Sequence, residues 1–206
     1  MNTSVRPLFV VGVLLLACDS CAHAQEGRHG TWMEWGLGYG SASFSCDTCT
    51  RSTQLGGWTF AFEIGGTPSG QVRLGAEIHS WFNGLKHSAP LAGIATGTLL
   101  LSYYPRFRGG PFLDGGGGLS YYVLGEGTGD PIEPLSRDTT YYSGTGWGFT
   151  VGVGWEVPLG HGDALTPRIS YHHGFVGILH SPDGARVATG WNQNLLSVEV
   201  RFLGSF

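Results

Sequence analysis

Beyond residue 30, apolar side chains recur at every second position in segments of about 8 to 12 residues, divided by Gly, Pro, Asp and Ser clusters; this is the period of strands and not of helices. Met33, Trp35, Leu37 and Tyr39 share one face and Glu34, Gly36, Gly38 and Gly40 the other, because successive strand side chains point to opposite sides. The alternation repeats with Trp58, Phe60, Phe62 and Ile64 against Thr59, Ala61 and Glu63. It repeats again with Val72, Leu74, Ala76 and Ile78 against Arg73, Gly75, Glu77 and His79. A looser segment sets Ala95, Gly97, Leu99, Leu101 and Tyr103 against Ile94, Thr96, Thr98, Leu100 and Ser102. Leu113, Leu119, Tyr121 and Val123 oppose Asp114, Gly116, Gly118 and Ser120; Trp147, Phe149, Val151, Val153, Trp155 and Val157 oppose Gly148, Thr150, Gly152, Gly154 and Glu156. The last two segments set Leu165, Ile169 and Tyr171 against Thr166, Arg168, Ser170 and His172, and Leu196, Val198, Val200, Phe202 and finally Phe206 against Ser197, Glu199 and Arg201.

The eight segments are joined by short turns near 65–70, 105–110 and 158–162 and by longer connections near 43–52, 82–91, 124–144 and 175–190. An even number of antiparallel strands puts both termini at the short-turn end and every long loop at the other. The pattern predicts an all-β fold: an eight-stranded antiparallel up-and-down transmembrane β-barrel with short periplasmic turns and longer extracellular loops.

Composition sharpens this. Only 13% of the 206 residues are Asp, Glu, Lys or Arg, against about 25% in soluble domains. No such residue falls in the apolar phase of any strand, whereas Glu34, Glu63, Arg73, Glu77, Asp114, Glu156, Arg168, Glu199 and Arg201 all fall in the opposite phase. Lipid tolerates the first face, since a midplane Arg or Lys costs ~2–4 kcal/mol there. A net charge of −4 with a single Lys offers no basic stripe, so no nucleic-acid partner is expected.

The segment before the strands reads as an address. Arg6, the apolar run Leu8 to Ala17 and Ala22-His23-Ala24 have the form of a signal peptide over residues 1–24, leaving 25–206 as the barrel domain. An alternative is a lipobox, Leu15-Leu16-Ala17-Cys18, with Cys18 lipidated. In an oxidising exterior, Cys46-Asp47-Thr48-Cys49 in the first long loop favours a local disulfide; with no second Cys pair in the mature chain, no zinc site is expected, and no cofactor or other metal either.

The leader, the alternating strands, Tyr103-Tyr104-Pro105 before Gly-Gly-Pro-Phe, and the ending from Val198 to Phe206 resemble the small outer-membrane β-barrels of the OmpA/OmpX type. The resemblance implies a Gram-negative outer membrane, contact with its lipid, and a C-terminal aromatic signal, here Phe202 and Phe206, read by the barrel-assembly machinery. It implies a monomer whose loops are available to an extracellular ligand.

Eight strands enclose only enough space for side chains, so the inward Arg residues are expected to pair with inward carboxylates and the lumen to be closed. Ser170, His172 and Glu199 share the inward phase, which makes a Ser/His/Glu hydrolase conceivable. Lipid A deacylases resemble this set, but here His172 is followed by His173-Gly174-Phe175 where that family has Ser and Asn. The leading expectation is a non-enzymatic barrel with a structural or loop-mediated binding role. A lipid-modifying hydrolase is the first alternative, and a soluble lipocalin-like barrel, with the apolar phase inside, the second.

Overall fold

The computed structural model describes residues 30–47, 49, 53–83, 91–106, 109–126 and 140–205. Eight strands follow one another: β1 (Gly30–Ser45), β2 (Thr53–Ser69), β3 (Val72–Asn83), β4 (Leu91–Tyr103), β5 (Gly110–Glu126), β6 (Thr140–Gly160), β7 (Asp163–His180) and β8 (Arg186–Ser205). Each pairs antiparallel with its neighbours, and β8 pairs with β1 to close the barrel. Closure satisfies the backbone groups that an open sheet edge would leave bare in hydrocarbon.

The stagger of the ladder sets which residues meet inside. Pairing passes from Trp35 to Phe62 on β2 and onward to Phe175 and Asn192, and returns to β1 at Ser45, ten residues beyond its start. Strands staggered in this way are steeply tilted, and tilt brings residues distant in sequence to one level of the lumen. Close strand contact also explains inward glycine: a Cβ on Gly116 or Gly118 would sit 2.0 Å from a β4 carbonyl oxygen.

The phase predicted from the sequence is the phase observed. Leu99 is 74% exposed, Leu119 67% and Ile78 60%, while Glu77, Glu199 and Arg201 are each 1% exposed. Apolar side chains outside and charges inside are the reverse of what a lipocalin-like barrel requires, which removes that alternative.

The strand ends differ from expectation. The connection expected at 175–190 is mostly strand, because β7 runs to His180 and β8 starts at Arg186. The ladder stays paired there by stepping through register shifts between Phe175 and His180, with Gly177 at φ 80° absorbing one of them. Only residues 181–185 remain as a turn, closed by Ser181 and Ala185. Likewise β6 begins at Thr140, inside the stretch read as the third loop.

Candidate functional site: the lumen

The inward residues stack in layers along the barrel. At the turn end Trp32, Ala164 and Leu203 form a small apolar cluster, beside the stacked rings of Tyr104 and Phe112. Arg73 lies over the Trp32 and Tyr104 rings, at 5.4 and 4.9 Å, and pairs with Glu156 across the lumen at 2.8 Å. Such a guanidinium keeps both a carboxylate and aromatic faces as partners, which lowers the cost of taking it out of water.

The middle layer is ionic. Arg168 on β7 donates to Glu77 on β3 at 2.6 Å and to Asp114 on β5 at 2.7 Å. Arg201 on β8 donates to the same Glu77 Oε2 at 2.6 Å, to Glu199 at 2.8 Å, and reaches Glu63 at 3.5 Å. One glutamate thus ties two arginines, and all of these contacts except Arg201–Glu199, both on β8, join strands that are not neighbours in the sheet. Glu34 is buried in this layer beside Glu63, its ladder partner.

Above it comes a chain of hydrogen bonds whose direction can be worked out. Glu199, held by Arg201, accepts from Ser197 Oγ at 2.9 Å and from His79 Nε2 at 2.5 Å. The single Ser197 proton is therefore spent, so in the 2.8 Å contact between the two serines Ser170 donates. Ser170 then has no proton left for His172 Nε2, 3.1 Å away, and must accept from it. That leaves His172 Nδ1 to accept from Thr150 at 2.6 Å. The assignment comes from the network, the only way to place such protons without seeing them. The His79 and His172 rings stack at 4.0 Å.

This order bears on the serine. Structure does bring Ser170, His172 and Glu199 together, but Glu199 bonds His79 and not His172, and His172 gives a proton to Ser170 where a general base would take one. All three are at most 2% exposed. At the loop end the lumen closes on Phe44, Trp81, Tyr122 and Leu195, with Trp191 packed against them. Phe44 is the hub, 5.0 Å from Tyr122, 5.8 Å from Trp191 and 6.0 Å from Trp81.

A closed barrel that is charged within and apolar without is the arrangement a bilayer selects, and the outer membrane protein beta-barrel domain model matches residues 10–202. The chain belongs to that family. Its place is accordingly the outer membrane. Among solved structures it is similar to Neisserial surface protein A, at 15% identity and TM-score 0.54, over 88% of this chain and 100% of that one. It is also similar to Ail, the attachment invasion locus protein of Yersinia pestis, at 9% identity and TM-score 0.53, over 84% and 99%. Ail has also been solved in complex with the heparin analogue sucrose octasulfate. At these identities the likeness speaks for the fold. No curated protein sequence matches significantly.

For a barrel of this family the remaining residues fall as follows. Cys46 and Cys49 are joined by a disulfide at the loop end of β1, where the Asp47 amide donates to Thr189 at 3.1 Å and so ties the first loop to β8. Phe202 faces outward against Trp35, ring centroids 6.2 Å apart. The leader expected at 1–24, with Cys18, and the terminal Phe206 lie outside the described residues. The lumen also contains Thr150, Ser197, Tyr104 and Phe44, which the sequence does not mark as site residues; the only signal for them is that each continues the inward phase of its strand or follows its end.

Proposed function

We propose that the protein is a non-conducting, non-enzymatic barrel of the outer membrane, a rigid scaffold whose lumen is a brace and whose recognition surface is the set of loops at the far end from the termini. The observation that carries this reading is Glu77, held at 2.6 Å by both Arg168 and Arg201 between two apolar caps. An ion path needs continuous water, and here Arg168 and Arg201 lie across the lumen tied to Glu77, Asp114 and Glu199. Recognition on a rigid scaffold resides in loops. The four loops and their borders carry Arg51, Lys86, Arg137 and Arg186 against Asp47, Glu126, Asp130, Glu133, Asp138 and Asp183. That acidic surplus suits a neutral or cationic partner and disfavours a polyanion of the kind bound by Ail. The barrel works as a monomer in contact with lipid, delivered by the barrel-assembly machinery through its C-terminal aromatics.

Recordings in planar lipid bilayers test the closed lumen. Purified protein should insert and give no discrete conductance steps. Reproducible steps proportional to the number of inserted barrels would overturn the proposal.

A further inference from the structure

The six carboxylates of the lumen, Glu34, Glu63, Glu77, Asp114, Glu156 and Glu199, outnumber its arginines, Arg73, Arg168 and Arg201. Buried charge needs compensation, and the arginines do not supply all of it. Above the ionic layer His79, His172 and Glu199, from β3, β7 and β8, each offer one ligand atom, all within 4.8 Å of one another and all buried. From these two observations we infer that the lumen holds a divalent transition-metal ion at His79, His172 and Glu199.

Two imidazoles and a carboxylate are a donor set that zinc accepts, with bonds of about 2.0–2.2 Å and a tetrahedral preference. Ligand atoms around such an ion stand roughly 3.3 Å apart, so on binding His79 Nε2 and Glu199 Oε1, 2.5 Å apart in a hydrogen bond, give up that bond and separate, the more distant atoms draw in, and the stacked imidazoles turn so that a nitrogen of each faces the ion. Ser170 Oγ, 3.1 Å from His172 Nε2, or a water takes the fourth position. The outer contacts suit the task. Arg201 donates to the Glu199 oxygen that His79 does not use, at 2.8 Å, and so orients the carboxylate. With the metal on His172 Nε2 the ring proton moves to Nδ1, and Thr150 Oγ1, 2.6 Å away, turns from donor to acceptor. Metal-bound histidines are usually fixed by such a bond from their other nitrogen. On His79 the other nitrogen, Nδ1, has no partner, so it can carry the displaced proton without breaking a bond. The apolar cap of Phe44, Trp81 and Tyr122 covers the site, so the ion enters during assembly and leaves slowly.

The test uses zinc as the probe. Full-length mature protein is refolded into detergent micelles with Zn(II), passed over a chelating resin, and analysed for metal alongside the variants His79→Gln and His172→Gln, with heat-dependent gel mobility as the check on folding. Wild type should retain about one zinc per barrel, and each folded variant should retain at least about tenfold less. Wild type retaining no more zinc than His172→Gln, or only traces, would overturn the inference. If the variants do not fold, X-ray absorption on the wild type decides: two imidazoles in the zinc shell support the site, and a shell of oxygen alone refutes it.

Discussion

The two faces of the same strands obey different rules. Outside, Leu99, Val151 and Val200 share one requirement, to be apolar at membrane depth, and any of several side chains would meet it. Inside, Glu77 needs two particular arginines from β7 and β8, and His172 needs Thr150 on one side and Ser170 on the other. The outer face is set by its solvent. The inner face is set by partners that only barrel closure brings together. Substitutions should therefore be tolerated by class outside and by identity inside.

The largest effect is expected at Glu77. Changing Glu77→Ala removes the acceptor that Arg168 and Arg201 share, leaving Arg168 with Asp114 and Arg201 with Glu199 and a long contact to Glu63, and should cost ~3–5 kcal/mol, the range for breaking a buried ion pair, read from urea unfolding followed by tryptophan fluorescence in lipid vesicles. The outer face is challenged by Val151→Arg, midway between Trp147 and Trp155 on β6, which should cost ~2–4 kcal/mol in the same measurement. Equal tolerance of Glu77→Ala and of a Val151→Leu control would erase the distinction between the faces.

The smallest effect lies outside the membrane, in the turn between β7 and β8. There the Asp183 carboxylate accepts from Ser181 Oγ and from the Ala185 amide, and these bonds hold it below the ordinary Asp value. A carboxyl depressed by folding stabilises the turn above its unfolded value of about 3.9, and that contribution is lost as pH falls through the folded value. Amide exchange at Ala185 should be slower at pH 6 than at pH 3 after correction for intrinsic rates. In Asp183→Asn the corrected difference should vanish.

The period-2 pattern made the strand phase, the strand number and the list of inward charges legible, because phase is a local property and lipid permits no exceptions. Partners were less so. Which glutamate meets Arg168 depends on a ten-residue stagger accumulated around the ring, and nothing near Arg168 in the chain encodes it. The same stagger gives Glu199 to His79 and not to His172, so a set that shares one phase is wired differently from a triad. Strand ends differ from expectation at 175–190 because Gly177, Gly184 and Gly190 together look like loop, whereas only Gly184 lies in the turn and Gly177 and Gly190, both at positive φ, let a paired hairpin step through bulges. Phe44 is hard to see in the sequence because the clear alternation of the first segment ends at Gly40 and a loop is expected from residue 43, whereas the inward phase continues through Ala42 to Phe44.

The central claim is that ion pairs brace the barrel across its lumen, and a double-mutant cycle on Glu77 and Arg168 tests it most directly. Unfolding free energies would be measured for Glu77→Ala, Arg168→Ala and the double variant in lipid vesicles. A coupling of ~1–3 kcal/mol is expected for groups in such contact, with the double variant less damaged than the two singles added together. Additivity within ~0.5 kcal/mol would mean that the two side chains do not brace the barrel and would contradict the claim.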